Sequence, residues 1–359
     1  VSNKIKILVV DDSAFMRKVI TELLESNNKF EVTDTARNGV DALRKIEKDM
    51  PDVITLDVEM PKMNGLDFLK RLMAKKPIPV VMLSSVTDKG SKETIKALEL
   101  GAFDFITKPS GSISLDIDKV KEELVQKVNL AAKSDVQKKI KRQVNRKKRP
   151  NKKQAISDEI KVAQKSSSLK FSGSKTKLLI IGASTGGPKA IKEVMRSLPG
   201  NLHIAILIVQ HMPAGFTKSL AKRLDKLSDF KVKEAENGDK IKPGTALLAP
   251  GDYHMLLNRG KVKLSQDSKV HNVRPAIDKT IGSVVKDYKD SMVGVLLTGM
   301  GKDGAKGMKL IKEFGGRTIA QDEATSVVYG MPRVAYEMGA IDKVKSLYQI
   351  PSEIAKMFK

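Results

Sequence analysis

LLIIGASTGG, residues 178–187, decides how this chain is read. It opens as a run of Leu and Ile, the pattern of a strand buried on both faces, and closes as a glycine-rich turn. A helical pattern follows. Pro188 suits a first helical turn, and Ile191, Val194, Met195 and Leu198 repeat at i, i+3, i+4 and i+7 before Pro199 and Gly200 stop it. Ser184 therefore sits in Gly-x-Ser-x-Gly between a strand and a helix, the setting of an exposed nucleophile. Two more hydrophobic runs end in polar groups: ILIVQHMP (206–213) delivers His211, and VLLTGMGKDG (295–304) delivers Asp303. In open parallel sheets, ligand sites gather beyond the carboxyl ends of the strands. Serine, histidine and aspartate are thus expected at one edge as nucleophile, general base and orienting acid. A glycine-rich nucleotide loop is the competing reading of 178–187, but the segment lacks both G-x-G-x-x-G and a P-loop lysine. Of the other histidines, His203 begins its strand and is expected at the opposite edge, while His254 and His271 fall in loop-like contexts that would line a cleft.

The first half of the chain alternates β-rich runs, IKILVV (5–10), DVITLD (52–57) and VVMLSS (80–85), with helical stretches such as FMRKVITELLES (15–26). That alternation predicts βαβ units and a parallel sheet. Val120, Leu124 and Val128 predict a closing amphipathic helix. Asp11, Asp12 and Asp57 stand where strands end, and such like charges call for a hard divalent cation such as Mg²⁺. Ser84 and Lys108, beyond two further strands, add a hydroxyl and an ammonium. Together these groups suit a phosphoryl group. Helix and loop capping would explain one or two of the aspartates, not the whole set.

With 359 residues and 40% hydrophobic content, the chain is long enough for two globular domains. It has no cysteine, which excludes disulfides, thiolate metal sites and a cysteine nucleophile. The amino-terminal ILVV is too short for a secretory core, so a cytoplasmic protein is expected. The net charge of +24 is unevenly spread: residues 131–175 hold 15 Lys and Arg against Asp135, Asp158 and Glu159, which is half of the excess. That stretch is poor in large apolar residues and reads as a flexible basic tether. No aromatic residue interleaves its basic cluster to stack on bases, so no specific nucleic-acid partner is expected.

Residues 4 to about 125 resemble a two-component receiver domain. The resemblance implies that Asp57 accepts a phosphoryl group and that Asp11, Asp12, Asp57 and the backbone carbonyl of Glu59 hold Mg²⁺. It further implies that Ser84 is the switch hydroxyl, Phe105 the aromatic switch in place of the commoner tyrosine, and Lys108 the phosphate partner, joined to Pro109 by a cis peptide. The second half resembles the catalytic domain of bacterial chemotaxis protein-glutamate methylesterases. GASTGGP, QHMP, LAPGDYHM, LLTGMGKDG and AQDEATSVVYGMPR carry that likeness. By it, Ser184, His211 and Asp303 are catalytic, with Thr185 and the N–H of Met300 at the oxyanion hole. The family's RPSVD stands here as Arg274-Pro275-Ala276-Ile277-Asp278, which puts a local substrate contact at Ala276 in question.

The expected architecture is two doubly wound parallel α/β domains: a flavodoxin-like receiver over 1–128 and a Rossmann-like hydrolytic domain over 176–359, joined by a basic flexible linker over 129–175. The expected activity is phosphorylation-activated hydrolysis of glutamate γ-methyl esters on the cytoplasmic domains of chemoreceptors, with glutamine deamidation as a companion reaction. A chemotaxis histidine kinase would supply the phosphoryl group, no cofactor would serve the esterase step, and the protein would be a monomer. Two other classes compete. A DNA-binding response regulator would show salt-sensitive duplex binding, and a non-enzymatic docking switch would leave Ser184 unlabelled by a serine-directed phosphonate.

Overall fold

The computed structural model describes residues 4–108, 117–134 and 176–358. In the first half, strands β1 (Ile5–Val10), β2 (Phe30–Ala36), β3 (Val53–Asp57), β4 (Val80–Ser84) and β5 (Asp104–Thr107) form one sheet in the order β2-β1-β3-β4-β5. Every pairing is parallel. Helices α1 (Ala14–Glu25), α2 (Gly39–Lys48), α3 (Gly65–Lys75), α4 (Asp88–Leu100) and α5 (Ile117–Ala132) connect and cover it. Strands β3 and β4 are buried along their whole length because helices lie on both faces, which is why they read as unbroken apolar runs. Side chains of Ser13, Asn38, Asn64 and Thr87 cap the first four helices by accepting from their first-turn N–H groups. Leu124 and Val128 are fully buried on α5, as their spacing predicted. That helix runs to Ala132, so the first residues expected in the linker are helical. The rest of the linker, 135–175, and Pro109 lie outside the described residues.

The second half is also a parallel α/β unit. Its strands are β6 (Lys177–Ala183), β7 (Ile204–Gln210), β8 (Lys231–Glu234), β9 (Thr245–Leu248), β12 (Met292–Leu296), β13 (Arg317–Gln321) and β14 (Lys343–Lys345), ordered β14-β13-β12-β6-β7-β9-β8. Between β9 and β12 an antiparallel hairpin, β10 (His254–Asn258) with β11 (Lys261–Ser265), stands apart from the sheet. Helices α6 (Gly187–Ser197), α7 (Phe216–Asp225), α8 (Ile277–Tyr288), α9 (Ala305–Glu313), α10 (Met331–Glu337) and α11 (Ile350–Met357) complete it. From β6 the chain builds outward through β7, then crosses back to β12. The strand order therefore reverses beside β6, and such a switch point opens a crevice at the carboxyl edge.

The two units meet through α4. Ser91 Oγ lies 3.0 Å from Ser219 Oγ on α7, and Arg223 of α7 grips Glu99 through Nε and an Nη at 2.9 Å each. Lys192 of α6 pairs with the same carboxylate at 2.7 Å. Beside this clasp the rings of Phe105 and Phe216 stack with centroids 4.6 Å apart.

Candidate active site

Ser184, His211 and Asp303 follow β6, β7 and β12, which are three adjacent strands. Ala183 pairs with Gln210 at the last rung between β6 and β7, so Ser184 and His211 are the next residues on neighbouring strands. The serine turn is pinned from below: Ser184 N donates to Thr298 O at 3.0 Å, and Gly187 N donates back to Ser184 O at 2.7 Å. Gly186 takes φ +77°, a left-handed conformation, and a Cβ there would come within 2.5 Å of Val327. The sharp reversal leaves the Ser184 hydroxyl with no hydrogen bond among the described residues. The N–H groups of Thr185 and Met300 likewise donate to nothing described, and Thr185 itself is buried. Unpaired N–H donors are what an oxyanion requires.

His211 Nε2 donates to Asp303 Oδ2 at 2.8 Å, which leaves Nδ1 as the acceptor nitrogen of the ring. Asp303 is 2% exposed and its remaining bonds come from backbone. Ile277 N donates to Oδ2 at 2.6 Å; Asp278 N and Gly304 N each donate to Oδ1 at 3.0 Å. Ala276, at the N-cap of α8, supplies no side-chain cap, so Asp303 caps that helix from another element. Burial alone would push the Asp303 carboxyl up; the His211 bond and the amide donors outweigh it and hold the group below the usual carboxylate range. Asp278 behaves oppositely. Burial, then the Asp303 charge, pushes its carboxyl up, and Gly307 N, a distant His271 (3.7 Å) and the Gly304 amide offset this only in part.

Two sequence expectations change here. His254 opens β10, is 1% exposed and is 3.2 Å from Ser268 O, so it is a core residue of the hairpin rather than a cleft lining. Ala276 is fully buried beneath the acid loop, so the missing serine removes no surface that a substrate could touch. His203 is exposed at the start of β7, as expected. Sequence reading missed the amides of Ile277 and Asp278, because backbone donors carry no side-chain signature. It also passed over Gln210 and Thr298, both buried and polar inside motifs already singled out.

At the carboxyl edge of the first sheet, Asp11, Asp12 and Asp57 bring carboxylate oxygens within 4.8 Å of one another. Three hard oxygen donors fit Mg²⁺. The Glu59 side chain turns to Lys89 at 3.0 Å, so any share it has in that site comes from its backbone. Lys108 Nζ sits 2.7 Å from Asp11 Oδ2 and 2.9 Å from Asp57 Oδ2. Burial opposes the Lys108 charge, but the two carboxylates outweigh it and raise its pKa; burial likewise pushes Asp57 up despite Lys108. Ser84 is fully buried and its hydroxyl accepts from Thr94 Oγ1 of α4 at 2.7 Å. Phe105 is buried between Phe216 and Lys127, whose ammonium lies 5.3 Å from the ring centroid.

Residues 7–117 match the response regulator receiver domain, and residues 179–354 match CheB methylesterase. A protein-glutamate methylesterase/protein-glutamine glutaminase of Symbiobacterium thermophilum is 48% identical over 367 residues, covering 99% of this chain and 98% of that protein. One of the same description from Pyrococcus horikoshii is 46% identical, covering 98% of this chain and 93% of its own. Among solved structures, the Thermotoga maritima CheB methylesterase catalytic domain aligns with TM-score 0.50 at 46% identity, over 51% of this chain and all of that one. With one sheet matching a receiver, the other a methylesterase, and relatives collinear across both, the chain belongs to the CheB methylesterase family, as a protein-glutamate methylesterase with an amino-terminal response regulator receiver domain.

Proposed function

We propose that this protein hydrolyses glutamyl γ-methyl esters on the cytoplasmic domains of chemoreceptors through Ser184, His211 and Asp303, under control of phosphorylation at Asp57. The observation that carries the reading is the 2.8 Å His211–Asp303 bond, made by residues that follow the two strands flanking that of Ser184. Nδ1 of His211 takes the Ser184 proton as Oγ attacks the ester carbonyl carbon. The N–H groups of Thr185 and Met300 receive the developing oxyanion. Collapse breaks the bond to the methoxy oxygen, which leaves with the imidazolium proton as methanol. Water, deprotonated by the same nitrogen, then attacks the glutamyl–serine ester, and Ser184 recovers its proton as free glutamate departs. Asp303 stays ionised throughout and stabilises the transient imidazolium. The relatives' description as glutaminases supports the same route on glutamine, with ammonia leaving in place of methanol.

Control rests on the receiver. Asp11, Asp12 and Asp57 would hold Mg²⁺, which offsets the charge of an arriving phosphoryl group; Lys108 supplies a fixed positive neighbour. A histidine kinase is the donor. The unphosphorylated receiver packs α4 on α6 and α7, the helices that follow the Ser184 and His211 turns, and so hinders a bulky receptor. Supporting this is the chain of contacts from Ser84 through Thr94 to α4, and from Phe105 to Phe216. The described residues contain no helix long and apolar enough to cross a membrane.

Methanol release from methylated chemoreceptor membranes tests both parts. Release that is stimulated by Mg²⁺ with a small acyl-phosphate donor, lost in Ser184→Ala, and no longer stimulated in Asp57→Ala is expected. Full release by Ser184→Ala would sink the triad; indifference to the donor would sink the control.

A further inference from the structure

Gln210 is the last residue of β7 and is 2% exposed. Its side-chain nitrogen holds two carbonyls at once: Nε2 donates to Ser184 O at 3.0 Å and to His211 O at 3.0 Å. Those carbonyls belong to the two residues whose side chains exchange a proton. The amide can face only one way, because both neighbours are acceptors and only the NH₂ end has two donors. Its other end, Oε1, lies against the Cα of Gly187, where a Cβ would come within 1.9 Å of it. Oε1 is buried without a hydrogen-bond partner. A buried unpaired acceptor costs about 1–3 kcal/mol, and a methionine would fill the same space without that cost. A methionine would, however, take the donor away from both the Ser184 and the His211 carbonyls, so what distinguishes the amide here is the pair of bonds it makes across the strand ends.

The backbone explains what the amide does. His211 N donates to Ala183 O at 3.1 Å, and this is the last ladder bond between the two strands. Past it, the chain at Ser184 reverses into α6 and the chain at His211 leaves toward α7, so no main-chain bond joins the two catalytic residues. We infer that Gln210 is a positioning residue that sets the spacing between nucleophile and general base, adding one side-chain rung where the backbone ladder ends. Gly187 is the counterpart that leaves room for the amide. The inference rests on the assignment of Ser184 and His211 proposed above. Its effect is on orientation in the chemical step, where misplacement by about 1 Å costs on the order of 100-fold.

The test uses the full-length protein with Mg²⁺ and a phosphodonor, and compares Gln210→Met, Gln210→Glu and Thr318→Val. Thr318 is equally buried but bonds Ala340 O, far from the catalytic edge, so its variant reports the effect of destabilisation alone. Gln210→Met should lower kcat by about 10- to 100-fold with KM little changed, and slow phosphonate labelling of Ser184 in step. Gln210→Glu keeps the shape but turns acceptors toward both carbonyls, and should lose more than Gln210→Met. Thr318→Val should lower the melting temperature and keep its kcat. Parental kcat and labelling rate in Gln210→Met would overturn the inference, as would a kcat loss that Thr318→Val matches at equal melting temperature. A Ser184→Ala variant run in parallel separates the failures: if it is inactive while Gln210→Met is fully active, only the role of Gln210 falls, whereas an active Ser184→Ala takes the triad with it.

Discussion

Asp303 does two jobs with one carboxylate, and its neighbours show why it needs both. It accepts the His211 proton donor and, from the amides of Ile277 and Asp278, caps α8, while Gly304 N adds a third backbone bond. Removing it leaves a buried imidazole and helix N–H groups unpaired, at about 1–3 kcal/mol for each. Asp303→Ala should therefore lose activity and also unfold at a clearly lower temperature. Ser184→Ala should lose activity alone, since the Ser184 hydroxyl bonds nothing described; differential scanning calorimetry of the two variants checks the contrast. The neighbouring Asp278 gives a prediction of opposite sign. Its folded pKa is raised by burial and then by Asp303, so its ionised form opposes folding, and that penalty is present above the folded pKa and gone below the unfolded value of about 3.9. Asp278→Asn keeps the acceptor for Gly307 N and removes the charge. It should melt at a higher temperature than the parent near neutral pH, with the advantage vanishing as pH falls below about 4. An advantage unchanged by pH would contradict this account.

Among the elements, α4 links the two chemistries. One face presents Thr94 to Ser84; the end of the helix presents Glu99 to Lys192 of α6 and Arg223 of α7. Burial opposes the charge on Glu99, but the bonds from Arg223 and Lys192 outweigh it and hold its pKa down. Partly exposed ion pairs are worth roughly 0.2–1 kcal/mol each, so the clasp contributes on the order of 1 kcal/mol. Glu99→Gln should then raise methanol release by the unphosphorylated full-length protein about fivefold, with the phosphorylated rate unchanged. Added salt should raise the parent's basal rate and leave that of Glu99→Gln nearly flat. A parent rate that ignores salt would show that the clasp does not hold the closed arrangement. Phe105 and Phe216 supply the apolar part of the same contact, which salt does not screen.

At the scale of the whole molecule, α4 and Phe105 of the first unit pack against α6 and α7 of the second, so that one helix stands between the acidic cluster and the helices that follow Ser184 and His211. A fragment beginning at about Lys175 should release methanol faster than the unphosphorylated full-length chain and ignore the phosphodonor; equal basal rates would rule out hindrance by the receiver. Much of this was legible in the chain itself. Strand runs, the Gly-x-Ser-x-Gly turn and the helical spacing of Ile191, Val194 and Met195 are local patterns, set by pleat, helix pitch and turn sterics within a few residues. The same holds for the acidic strand ends at Asp11, Asp12 and Asp57. What only the folded chain decided is adjacency. Strands β12, β6 and β7 lie side by side although two helices, two sheet strands and a hairpin separate residues 211 and 292, and that order alone lets the His211 ring reach Asp303. The amide cap from Ile277 and Asp278, the rung supplied by Gln210, and the Glu99 clasp all join segments distant in sequence through groups whose bonding depends on where the backbone passes. Local sterics write themselves into a sequence; long-range hydrogen bonds and ion pairs exist only once packing has placed their partners within about 3 Å.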